Sequence, residues 1–138
     1  MFICRENTSC PVRSLELYCG ENIDLLVAAI GPYLILFDLL TFNEISKSLV
    51  FENSIIHGIV SIPDISYLVV YGGKNFALVP ITNAVKKLRI ISYENQDDLV
   101  LNCKLTMEKG KNPSSLILMV GFAHNFIDIY EVSSSKGT

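Results

Sequence analysis

Short apolar runs of strand length, separated by Gly, Pro and Asn turns, recur along this chain. Between Ile56 and Ile81, IHGIVSIPDISYLVVYGGKNFALVPI, the order is an apolar run, a Pro-Asp turn and a second run ending at Gly72-Gly73. A three-residue turn, Gly73-Lys74-Asn75, and a third run follow. Gly and Asn supply the positive φ angles that a tight hairpin needs, so the stretch predicts a three-strand antiparallel meander.

The same pattern stands on either side of it. Asp24 to Tyr33 followed by Leu34 to Leu39 aligns with Tyr67 to Gly73 followed by Phe76 to Ile81. A third copy runs Leu116 to Gly121, turns at Ala123-His124-Asn125 and continues Phe126 to Val132. With Tyr33, Asn75 and Asn125 in register the spacings are 42 and 50 residues, near the roughly 40–50 of propeller blades.

In chain order, Val12 to Cys19 alternates, with Val12, Leu15, Leu17 and Cys19 as the apolar set and Ser14 and Glu16 on the polar side, which predicts a half-buried strand. Leu25 to Ile30 is apolar on both faces, as in a strand sandwiched between sheets. Leu34 to Leu40 and the more polar Ile45 to Phe51 complete a first set of four. Ile56 to Ile62, Leu68 to Tyr71, Phe76 to Thr82 and Lys87 to Tyr93 form a second, again with the polar strand last. A third set holds Leu99 to Met107, Leu116 to Gly121 and Phe126 to Val132, with a charged loop, Glu108 to Pro113, after its first strand and no fourth strand. Four strands with the middle ones most apolar are what a propeller blade requires.

The predicted fold is therefore all-β: a partial β-propeller over residues 1–132, with blade-like units at about 12–51, 56–93 and 99–132, and a disordered polar tail at 133–138. Closed propellers have about four to eight blades, so this arc reads as a fragment, and its two end sheets are expected to leave apolar faces exposed.

Half of the 138 residues are apolar and the net charge is −3, an ordinary globular composition with no electrostatic reason for this segment alone to bind nucleic acid. The uncharged, apolar run between Asp24 and Asp38 is too short to span a membrane and is broken by Gly31-Pro32. Arg5 and Glu6 interrupt the amino terminus before a signal-like apolar region forms, so a cytoplasmic location is expected and Asn7-Thr8-Ser9 reads as a chance sequon. Cys4, Cys10, Cys19 and Cys103 have neither Cys-x-x-Cys nor metal-ligand spacing and read as reduced thiols, with a Cys4–Cys10 or Cys10–Cys19 disulfide as the alternative.

Leu25 to Leu39 with its Gly31-Pro32, the triplet Ile56-His57-Gly58, the hairpin Leu68 to Lys74 with Gly72-Gly73, and Gly121 to Asn125 before Ile129-Tyr130 together resemble the amino-terminal blades of the WD-repeat-containing protein six family. The resemblance covers roughly Asp24 to Val132. It implies a non-catalytic propeller subunit that partners an FtsJ-type methyltransferase in methylating the ribose 2′-hydroxyl of the tRNA wobble nucleotide. The enzyme carries the S-adenosylmethionine chemistry, and the WD-repeat subunit helps to hold tRNA through the complex. The chain differs from the family's pattern in having no Trp, in carrying Ala29-Ile30-Gly31-Pro32 where Gly-Glu-Gly-Pro is usual, and in being several times shorter than family members.

The residues themselves argue for structure rather than catalysis. Gly72-Gly73-Lys74 lacks the glycine spacing, the following Ser or Thr and the helix of a phosphate loop. His57 stands where an imidazole would bond to a neighbouring loop and fix the blade register, while His124 and Asn125 read as turn residues. Asp24, Asp38, Asp97 and Asp98 flank strands and pair with no base at a recognisable spacing. No cofactor or metal site is expected. Lys86, Lys87 and Arg89, with Lys109 and Lys111, are the basic clusters that would touch tRNA phosphates in an assembly. The alternative function is a generic WD-repeat adaptor for protein partners in signalling or trafficking; a β-sandwich enzyme, a third reading, leaves the repeat unexplained.

Overall fold

The structure, a computed structural model of the chain, describes residues 1–20, 22–62, 65–81, 87–108 and 115–132. Eleven strands form three antiparallel sheets among the described residues. The first holds β1 (Val12–Cys19), β2 (Asp24–Ile30), β3 (Tyr33–Asp38) and β4 (Glu44–Leu49) in that order. The second holds β5 (Gly58–Ser61), β6 (Tyr67–Gly72), β7 (Asn75–Pro80) and β8 (Ile91–Tyr93). The third holds β9 (Val100–Glu108), β10 (Ser115–Phe122) and β11 (Ile127–Val132). All eleven predicted strands are present, and the third set has three.

The apolar runs are explained by what covers them. One core lies between the first and second sheets, where Leu25, Val27, Ala29, Leu34 and Leu36 meet Leu68, Val70, Ala77 and Val79. Another lies between the second and third, where Val69, Phe76 and Leu78 meet Cys103, Leu105, Leu116, Leu118 and Val120. Because side chains alternate faces along a strand, β6 and β7 must be apolar at every position to serve both cores, which is why LVV and FALV run without a polar break. The innermost strands β1, β5 and β9 lie side by side, while β4 and β8 are the outer edges of their sheets.

Three expectations need correction. In β1 the alternation is present but its sides are reversed: Tyr18 is the buried residue, whereas Val12, Leu15, Leu17 and Cys19 are exposed. Leu15 and Leu17 pair with Ala28 and Leu26 on the face turned away from the second sheet, and no sheet of the described residues lies over that face. In β3 the strand stops at Asp38 rather than Leu40, because Asp38 folds the chain back: its Oδ1 accepts from Leu40 N–H at 2.7 Å and its carbonyl from Phe42 N–H at 2.8 Å. In β8 only Ile91–Tyr93 pairs with β7, short of the Lys87 to Tyr93 expected. The ladder ends two residues before Pro80, which has no N–H to contribute. Leu88 and Ile90 leave it and pack on the core between the first two sheets.

The cysteines are free, as expected for reduced thiols; Cys103 is buried, and burial pushes its thiol up to about 12. The Pro63-Asp64 turn, most of the charged loop after β9 and the 133–138 tail lie outside the described residues.

Val69 is fully buried between the second and third sheets. Val69→Asp places an unpaired carboxylate there, at a cost of about 3 to 5 kcal/mol, and is expected to abolish soluble expression. Ile129→Asp, on an exposed face, is expected to express normally; equal solubility of the two variants would refute the sandwiched position of β6.

Candidate interaction surfaces

The residues singled out in the sequence gather where hairpins meet inter-sheet links. The β2–β3 and β6–β7 hairpins are two-residue turns, Gly31-Pro32 and Gly73-Lys74, closed by the pairs Ile30↔Tyr33 and Gly72↔Asn75. Asn75 is thus the first residue of β7 and not part of a three-residue turn. Gly31 and Gly73 have φ of 60° and 57°. Positive φ at the first turn position alone is the II′ arrangement, which favours Gly there and tolerates Pro32 at the second. The third hairpin is longer, with Asn125 at φ 71° and Phe122 stacked on Phe126 at 4.4 Å.

The chain leaving β4 binds back to the first hairpin: Val50 N–H donates to Pro32 O at 3.0 Å and Ile56 N–H to Gly31 O at 2.9 Å. It then binds forward, His57 N–H donating to Tyr71 O at 2.7 Å. The link after β8 repeats the scheme. Gln96 N–H donates to Lys74 O (2.8 Å) and Val100 N–H to Gly73 O (2.9 Å), and Ala123 N–H of the next hairpin donates to Leu99 O (3.0 Å).

His57 serves through its backbone, not its ring; the exposed imidazole makes no hydrogen bond among the described residues. Gly72 lies so close to the passing link that a Cβ there would overlap Ile55 O, and Gly58 leaves room for the Tyr71 ring. Asn75 is buried and its Oδ1 accepts from Asn95 N–H at 2.9 Å, fixing the second link from within the hairpin.

The side-chain lock that sequence spacing missed is at the second junction. Asp98 accepts from Leu99 N–H (2.8 Å), from His124 N–H (2.7 Å) and from His124 Nδ1 (2.8 Å). The Asp98 side chain is 10% exposed and that of His124 is 84% exposed. Burial alone would raise the Asp98 carboxyl, but the His124 ring and the two backbone N–H groups outweigh it and hold it below the ordinary carboxylate range. His124 is therefore a partner in the junction and more than a turn residue. The two are 26 residues apart, and the antiparallel β9–β10 pairing, which sets Val100 opposite Phe122, brings them together.

The end sheets present open faces. On the first sheet Leu15 and Leu17 are 59% and 54% exposed. The segment before β1 crosses part of that face, leaving an apolar groove of about 340 Å³ between Cys4, Val12, Leu15, Leu26, Phe37 and Phe42. On the third sheet Ile127 and Ile129 are each 68% exposed. Lys87 and Arg89 are exposed before β8; Lys86, Lys109 and Lys111 lie outside the described residues. No group of His, Cys, Asp and Glu among the described residues has the arrangement of a metal site, and the described residues hold no helix long and apolar enough to cross a membrane.

No protein family matches the chain in a scan of family models, and a search of curated proteins finds no match. Among solved structures, a WD40 propeller chain in the crystal structure of the mitotic checkpoint complex is similar, with a TM-score of 0.68 at 15% identity. The match covers 93% of this chain and 40% of that one. The fold is that of a partial, WD-repeat-like β-propeller of two four-stranded sheets and one three-stranded sheet.

Two outcomes follow for the junctions. Gly72→Ala is expected to cost at least about 2 kcal/mol in denaturant unfolding, because the obstacle is backbone. Gly121→Ala should cost less, since its Cβ would meet the Asn102 side chain, which can turn away. For Asp98, a lowered carboxyl adds stability that is present at neutral pH and lost as pH falls through its folded-state pKa. The stability gap between the parent chain and Asp98→Asn is therefore expected to close below about pH 4. A gap independent of pH would mean that the carboxylate charge is not what holds the junction.

Proposed function

We propose that this chain is a non-catalytic scaffold segment that presents its hairpin-and-link end to partner molecules. The observation that supports this reading is the repeated junction. Its polar groups are engaged in holding the links: the Gly31 and Gly73 carbonyls tie each link to the preceding hairpin, and the Asp98 carboxylate ties the second link to the third hairpin. Groups spent on register leave exposed turn tips such as Lys74 as those offered outward. Fold alone does not choose a partner.

For the partner, the proposal is an FtsJ-type tRNA 2′-O-methyltransferase, with tRNA held through the complex in the cytoplasm. It is supported by the in-order likeness of Gly31-Pro32, Ile56-His57-Gly58 and Gly72-Gly73-Lys74 to the WD-repeat-containing protein six family. Each of these motifs lies at the junction between the first two sheets. In this reading Lys86, Lys87 and Arg89 add to the attraction for tRNA phosphates.

Deleting the corresponding gene is expected to lower 2′-O-methylation of the wobble nucleotide, read by mass spectrometry of isolated tRNA. Unchanged methylation would leave the scaffold without this partner. Joint Lys87→Ala and Arg89→Ala substitution is expected to weaken tRNA binding by the complex and to lower its salt dependence by up to about two phosphate contacts.

A further inference from the structure

The outer face of the first sheet is not uniformly bare. Leu15 and Leu17 on β1 are largely exposed, yet Ala28 and Ile35, joined to that face through the pairs Leu15↔Ala28 and Ala28↔Ile35, are buried, as is Ile30. Cys10, from the segment before β1, packs on these three with Tyr33 and Phe37. Its Sγ lies over the first hairpin, 3.2 Å from where a Cβ on Gly31 would stand.

Upstream of Cys10 the segment keeps a two-residue period. Cys4, Glu6 and Thr8 line the apolar groove of about 340 Å³ together with Leu15, Leu26 and Phe37, whereas Arg5, Asn7 and Ser9 do not. Alternation of this kind belongs to an extended chain, whose successive side chains point to opposite sides, so the even-numbered residues face the sheet. Phe2 is the next in that series. Its ring is largely in solvent, as is the Ile3 side chain. The two residues back from Cys4 span about 7 Å in extended form, which keeps the ring within reach of a groove that Cys4 already lines. An apolar ring in water beside an apolar groove is driven toward burial.

We infer that residues 1–11 are a strap that closes over the outer face of the first sheet, with Cys10 as its fixed end and the Phe2 ring as a plug between Leu15, Leu26 and Phe37. A partner surface reaches this face only by displacing the strap, so the strap gates it. The device stands apart from the tRNA reading, which rests on the hairpins and links.

The chain has no Trp, so Phe2→Trp in the full 138-residue chain gives a single fluorescent reporter at the plug. Ile3→Trp gives one at the neighbouring position, out of phase with the groove. Emission of the Phe2→Trp chain is expected to lie to the blue of the same chain unfolded in guanidinium chloride, with loss of most acrylamide quenching, while the Ile3→Trp chain emits as though unfolded. Adding Leu15→Asn to Phe2→Trp removes one apolar wall of the groove at an exposed position and is expected to restore both the red emission and the quenching. Solvent-like emission from the Phe2→Trp chain overturns the inference, as do equal shifts from both single variants, which would mean unspecific collapse. A shift that survives Leu15→Asn also overturns it, because the ring would then lie elsewhere. So does a shift that appears only as protein concentration rises, because a second copy would then hold the ring.

Discussion

The arrangement depends on one narrow passage: the chain leaving the first sheet threads between two hairpins before it becomes β5. Ile56 gives its N–H backward to Gly31 and His57 gives its N–H forward to Tyr71. Gly72 has no side chain to stand in the way. Sheet-on-sheet burial supplies most of the stabilisation, but it is nondirectional and tolerates sliding. Two backbone hydrogen bonds of opposite sense fix where each sheet sits on the next.

The second junction reaches the same end by added means. Val100 again gives its N–H backward, to Gly73, but the forward bond is reversed, Ala123 N–H donating to Leu99 O, and Asp98 adds a carboxylate that gathers the Leu99 and His124 N–H groups and the His124 ring. The longer third hairpin, with its Phe122–Phe126 stack, gives no two-residue II′ turn to thread against. A charged cap stands in for that tighter geometry.

The strands were legible because each buried run is apolar for a local reason. Leu68 to Val70 and Phe76 to Val79 must satisfy cores on two sides, and the Gly turns mark where they end. The fourth strands of the first two sheets were legible from their polarity in the same way. The faces of β1 were not, since Leu15 and Leu17 are apolar toward an uncovered side and alternation alone carries no information about what lies beyond it. The Asp98–His124 pair was out of reach because Asp98, two residues before Val100, meets His124, two after Phe122, only once β9 pairs with β10 and sets Val100 opposite Phe122. The backbone role of His57 was hidden because sequence names side chains, and the contact belongs to the main chain.

The stacking order has a consequence for how the molecule comes apart. Three sheets in a row share two interfaces, and only the second sheet owns both. In a one-dimensional array with nearest-neighbour coupling, shedding an end unit forfeits a single interface term, while disrupting the centre forfeits two. Loss of structure therefore propagates inward from the ends, and β6 and β7 form the last unit to melt.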